Sequence, residues 1–187
     1  MLRRTLLIWL AAAFLWSAAE AFLFFVVADV LLTLIALRFG LRTGLVAAVV
    51  GTLGALVGAA ALYGSVNAAP EAMFYALLAL PAIDATMLEN ARTAMQAGPM
   101  LALLEGAVTG VPFKVFAALA PQVPLSLGAF LIMGFVARLS RYAGAVFLAA
   151  LVAALFPSLR TSRTGIVLWA MFWIVFYALF WGPFGPA

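Results

Sequence analysis

The chain has 187 residues, of which 68% are apolar and 9% charged, with a formal net charge of +4 and a mean hydropathy of +1.25. A soluble domain carries about 25% charged residues to keep a solvated face, so this composition excludes one. It has no Cys and no His, which excludes disulfides, thiolate chemistry and the usual zinc or haem ligation; no cofactor or metal is expected. The sequence reads as a single all-α integral membrane domain over residues 1–187.

Met1-Leu-Arg-Arg4 followed by an apolar run has the look of a signal peptide. The run continues to Leu37 without a polar boundary, so a retained first segment is expected. Residues 5–37 are interrupted only by Glu20 and Asp29. As a straight helix they would be roughly 50 Å long, against a hydrocarbon core of about 30 Å. The segment is either one long tilted helix with an interfacial one, or a re-entrant element entering and leaving on one side. Arg3 and Arg4 before it, with Arg38 and Arg42 after it, favour the second reading by the positive-inside rule.

Residues 43–63 form a clean span. Its Gly51, Gly54 and Gly58 present small residues for close helix packing. Residues 67–98 are the most polar stretch. Thr86 and Glu89 fit a capping box, Met87, Leu88, Ala91 and Met95 make one apolar face, and Gly98-Pro99 ends the helix. Residues 99–124 are apolar but broken by Gly106, Gly110, Pro112, Pro121 and Pro124, which predicts a second re-entrant element opening to the opposite face. Residues 125–157 contain Arg138 and Arg141 and make one or two spans. Residues 164–181 are the last span, with Trp181 as its interface anchor.

Six charged residues, Glu20, Asp29, Glu105, Lys114, Arg138 and Arg141, lie in apolar surroundings. Each costs about 2.5–3.5 kcal/mol at the bilayer centre, so mutual neutralisation in one polar interior is expected. Arg138 and Arg141, three apart, share a helix face. The alternative is a set of structural ion pairs and side chains reaching to the headgroups. The other basic residues stand singly or in pairs at segment ends, which reads as orientation rather than nucleic-acid binding. The acids lack the clustered spacing of membrane phosphotransfer enzymes, so an enzyme is not expected.

Three motifs, in order, resemble the DedA superfamily (the VTT, or SNARE-associated, domain) in its YqaA-like bacterial form. They are Glu20-Ala-Phe-Leu-Phe-Phe-Val-Val-Ala-Asp29, then Gly110-Val-Pro112-Phe-Lys114 with Ala120-Pro121, then Ala137-Arg138 with Arg141-Tyr142. That group often has Pro before the acid at position 29, where this chain has Ala28. The resemblance implies a multi-span helical bundle with two opposed re-entrant hairpins, shaped in the second by Gly110, Pro112 and Pro121. It implies a bacterial inner-membrane location and lipid movement or proton-coupled transport, read here as movement of an anionic lipid, a phospholipid or polyprenyl phosphate; the arginines at the start of the chain put the N-terminus in the cytoplasm. Glu20 and Asp29 would be the proton-linked acids and Arg138 and Arg141 the headgroup-binding bases, with Lys114 beside them. Partners are then membrane lipids and protons, with a homo-oligomer left open. The alternatives are a proton-coupled exporter of small cations and a non-transporting assembly or stability factor.

Overall fold

The computed structural model describes residues 2–181, with side chains from Arg4 to Leu179. The expected anchor side chain, Trp181, lies outside these, as do Met1, the side chain of Arg3 and the tail from Gly182. The described residues form α-helices and two short 3-10 turns, with no strand. The helices are α1 (Leu2–Phe22), α2 (Asp29–Phe39), α3 (Leu41–Ala68), α4 (Pro70–Leu78), α5 (Ala85–Ala97), α6 (Pro99–Thr109), α7 (Phe113–Leu119), α8 (Leu127–Leu155) and α9 (Arg163–Trp181).

Three of them are long and apolar enough to cross a membrane: α1 over Arg4–Phe22, α3 and α8. Half of the apolar stretch of α3 is buried inside the protein against 22% for α1 and α8, which makes α3 the central helix. Large apolar side chains cover the outside, including Ile8, Leu15, Val57, Ile132, Leu148 and Ile174. Water penalises such a continuous apolar exterior and a bilayer does not. The protein is a helical membrane protein.

The small residues of α3 explain its central place. A Cβ at Gly54 would run into the carbonyl of Phe14, and one at Gly58 into that of Ala18. Backbone therefore lies on backbone where α1 crosses α3, the close approach that small residues permit. Residues 125–157, left as one or two spans by the sequence, contain one continuous helix, α8.

Pairs of facing residues give the helix directions. Ser17 and Glu20 of α1 face Tyr142 and Arg138 of α8, so these two helices run antiparallel. Gly44 of α3 faces Ala36 of α2 and Val146 of α8, and Gly51 faces Tyr142. Thus α3 is antiparallel to both α2 and α8, and α1 and α2 run in opposite senses on either side of residues 23–28. Gly40 makes the α2–α3 corner at φ 84°, a left-handed value that suits glycine. At that end Arg38 donates to the carbonyl of Arg160, 2.7 Å away.

The polar stretch folds as α4 and α5. Leu88, Ala91 and Met95 of α5 are buried and Met87 is packed against them, while Gly98 caps the helix end. The expected Thr86–Glu89 capping box is not formed. The cap is Asp84, whose Oδ1 accepts from the backbone N–H of Met87 at 2.7 Å, and Glu89 is exposed and paired loosely with Arg92 at 4.0 Å. The helix begins earlier than the box requires, and Asp is a better N-cap than Thr.

Beyond Gly98 the chain forms α6, breaks at residues 110–112, and returns as the wholly buried α7. Gly110 takes the left-handed conformation, φ 92°. Pro112 is the extended residue preceding α7. Pro121 lies further on, in the 3-10 turn Ala120–Gln122 that leads towards α8.

Candidate functional site

The two helix breaks meet. Lys114, in the first turn of α7, donates from Nζ to the carbonyl of Phe24 at 2.9 Å, an oxygen in the connection 23–28 that no longer serves a helix. Around this contact the structure gathers five of the six charges expected in apolar surroundings. Glu20, Asp29, Lys114 and Arg138 are each no more than 4% exposed, and Arg141 is partly buried.

Glu20 comes from the last turn of α1 and Asp29 from the first turn of α2, so one stretch of chain supplies both carboxylates. Asp29 is also favourably placed at a helix N-terminus. The arginines come from mid-α8. Arg138 Nη2 donates to Glu20 Oε2 and, at 2.6 Å, to the Tyr142 hydroxyl. That hydroxyl lies 3.1 Å from Glu20 Oε2. The guanidinium also packs over two rings, with Cζ 5.1 Å from the Phe113 centroid and 4.6 Å from that of Tyr142; cation–π contact of this kind is strongest when desolvated. Phe113 stacks in turn on Phe130 at 5.6 Å. Gly134 leaves room for it, since a Cβ there would stand 2.8 Å from the Phe113 ring.

Arg141 Nε donates to Asp29 Oδ2 at 3.1 Å, and its Nη1 to the carbonyl of Ala107 at 3.1 Å. Arg141 thereby ties α2, α6 and α8 together. Two polar atoms of the cluster stay buried without a hydrogen-bond partner: Asp29 Oδ1 and Arg138 Nε.

A cavity of about 50 Å³ opens among these groups, lined by Glu20, Lys114, Arg138 and Arg141 with Gly110 and Pro112 from the second break, and by Phe176 and Tyr177 of α9. That volume holds about three or four waters. The helix α9 reaches the cluster through long side chains. Its Trp169 and Trp173 both donate from Nε1 to Thr33 Oγ1, at 3.1 and 3.2 Å. Tyr177 accepts from the backbone N–H of Val27 at 2.8 Å.

Glu105 does not join the cluster. It is exposed on α6 and lines a separate open groove with Asp84, Thr86 and Asn90. The buried residues of α6 are Ala102, Leu103 and Gly106, and Glu105 falls beside that face, on the side of the exposed Leu101 and Val108. The expected balance of three acids and three bases is therefore two acids and three bases. Two hydroxyl groups to which the sequence assigned no role, those of Ser17 and of Tyr142 in the third motif, lie 3.5 Å apart and are fully buried. Their signal was spacing: Ser17 precedes Glu20 by one helical turn and Tyr142 follows Arg138 by one, so each shares its face.

Among the described residues no group of three acids is placed to hold a metal ion. The fold and site define an all-helical membrane protein with a buried, largely ion-paired charge cluster where two helix breaks touch. No protein-family model, curated protein or solved structure matches the chain.

Proposed function

We propose that this is a transport protein of the bacterial inner membrane, with a cytoplasmic N-terminus, that moves an anionic lipid headgroup past the charge cluster with proton dependence. In this reading residues 5–37 and 99–124 are opposed re-entrant hairpins whose tips are the breaks at 23–28 and 110–112, as in the DedA superfamily that the three motifs resemble. One observation carries it: two acid–arginine pairs and a lysine, buried but for the part-exposed Arg141, lie at the junction of two helix breaks inside an otherwise apolar bundle. Buried ion pairs are a poor device for stability alone, because well-packed apolar residues do as well or better. Ionisable groups inside a membrane bundle mark substrate or proton paths.

The mechanism follows from the pairing. With both carboxylates ionised, each arginine is engaged and neither is available to a headgroup. Protonation of Glu20 or Asp29 removes the charge that holds Arg138 or Arg141. The freed guanidinium then has its planar fork available for a phosphate, which it binds through two parallel hydrogen bonds. Deprotonation restores the internal pair and expels the headgroup, whose acyl chains remain in lipid. No covalent step occurs, so no enzyme activity is assigned.

The test is a reconstituted assay with a fluorescent headgroup-labelled phospholipid and a membrane-impermeant reductant. Wild-type vesicles should lose nearly all fluorescence, and Arg138→Ala/Arg141→Ala vesicles only the outer-leaflet half. Wild type behaving like protein-free vesicles, or a double variant equal to wild type, refutes the proposal. A second reading, a non-transporting assembly or stability factor, draws on the small cavity and on the internal pairing of both carboxylates. It predicts that charge-neutralised variants still complement a deletion strain. Export of small cations has less support, since both buried carboxylates already hold an arginine.

A further inference from the structure

The internal charges do not balance. Among the described residues three buried or partly buried bases stand against two carboxylates, and the two ion pairs leave Lys114 with no carboxylate within 4.0 Å. Its ammonium has three N–H donors, and the Phe24 carbonyl takes one. Arg138 lines the same cavity, while its Nε, which has no partner among the described residues, is enclosed in the packing. An uncompensated charge away from water is costly, and a neutral water molecule would satisfy the ammonium's other donors without offsetting the charge.

We propose that the cavity binds one small monovalent anion, of chloride size, held by Lys114. The volume of about 50 Å³ accepts a single halide with a water or two. The acid on the same wall, Glu20, is already matched by Arg138, and Arg141 is matched by Asp29. The anion's countercharge is therefore Lys114. Because Lys114 also bridges to the Phe24 carbonyl, an anion on its remaining donors ties the second break to the first. The inference does not rest on lipid translocation: it concerns the resting bundle, and it stands or falls by anion binding alone.

The experiment is equilibrium binding of radioactive chloride to the purified full chain in a non-ionic detergent, with gluconate making up constant ionic strength. Wild type should bind one equivalent, displaced by bromide and not by gluconate. Lys114→Met should bind none, and Lys114→Arg, which keeps the charge, should retain it. Chloride at ten times its Kd should also raise the wild-type Tm by on the order of 3–5 °C over gluconate. Crystals grown in bromide locate the ion without any variant, with an anomalous peak expected within hydrogen-bond distance of Lys114 Nζ. No chloride binding by wild type, undiminished binding by a folded Lys114→Met, or a bromide peak elsewhere would each overturn the proposal. Success here with failure of the fluorescent-lipid assay would leave an anion-stabilised bundle that does not move lipid.

Discussion

The Glu20–Arg138 pair permits a test in which stability and function part company. Both side chains are almost wholly buried. Arg138→Met strands the Glu20 carboxylate, leaving it the Tyr142 hydroxyl at 3.1 Å and the nearby Lys114 charge. Breaking a buried pair from one side costs about 3–5 kcal/mol, and these remaining partners place the loss near the lower end, about 3 kcal/mol. Glu20→Met strands the guanidinium in the same way, although the faces of Phe113 and Tyr142 still cover it. The double variant Glu20→Met/Arg138→Met removes both charges and fills similar volume with thioether. It should recover to within about 1 kcal/mol of wild type. The three variants complete a double-mutant cycle, read by tryptophan fluorescence during denaturation in mixed detergent micelles. The same proteins go into the fluorescent-lipid assay, where the stable double variant should be inactive. Additive losses, with the double variant worse than either single one, would refute the electrostatic reasoning. A double variant that is stable and still moves lipid would refute the functional half.

Other outcomes follow from the packing. Gly54→Ala should cost about 1–3 kcal/mol in the same denaturation series, because the added methyl meets the Phe14 carbonyl; Gly64→Ala, with open space around it, should be neutral or mildly stabilising. Gly110→Ala should cost about 1–2 kcal/mol, the strain of a side chain in the left-handed region, measurable as a lower midpoint in that titration. Asp84→Ala should lose about 0.5–2 kcal/mol of local stability in α5, seen as faster amide exchange over its first turn, whereas Thr86→Ala should change little. Thr33→Val removes the shared acceptor of two indoles, so quenching of tryptophan fluorescence by brominated lipid should increase.

The parts of this molecule that sequence reveals best are those where composition and spacing leave little choice. Residues 43–63 had to be helical and closely packed, since their glycines recur on one side, and they lie within the central helix. The gathering of Glu20, Asp29, Lys114, Arg138 and Arg141 was expected because isolated charges in an apolar chain need partners. Which carboxylate takes which arginine was not legible, because that depends on helix register between segments more than a hundred residues apart in sequence. Glu105 was not legible for a related reason: Leu101 and Val108, one turn before and after it, share its outward face of α6, so apolar neighbours along the chain did not mean an interior position. At α5 two residues competed to start the helix, and the attractive Glu89 drew attention to Thr86 although the stronger cap stood at Asp84.

The seam between α9 and the first break has a directional consequence. Thr33 Oγ1 donates to the Asp29 carbonyl and receives both indole N–H groups, so one hydroxyl uses its full hydrogen-bonding capacity. The opposite side of α9, with Val167, Met171, Ile174 and Val175, is exposed, and its inner residues Phe176 and Tyr177 wall the cavity. Peeling α9 away would uncover the charges sideways, towards acyl chains rather than towards either aqueous compartment. Three hydrogen bonds through Trp169, Trp173 and Tyr177 are the fastening that would have to yield.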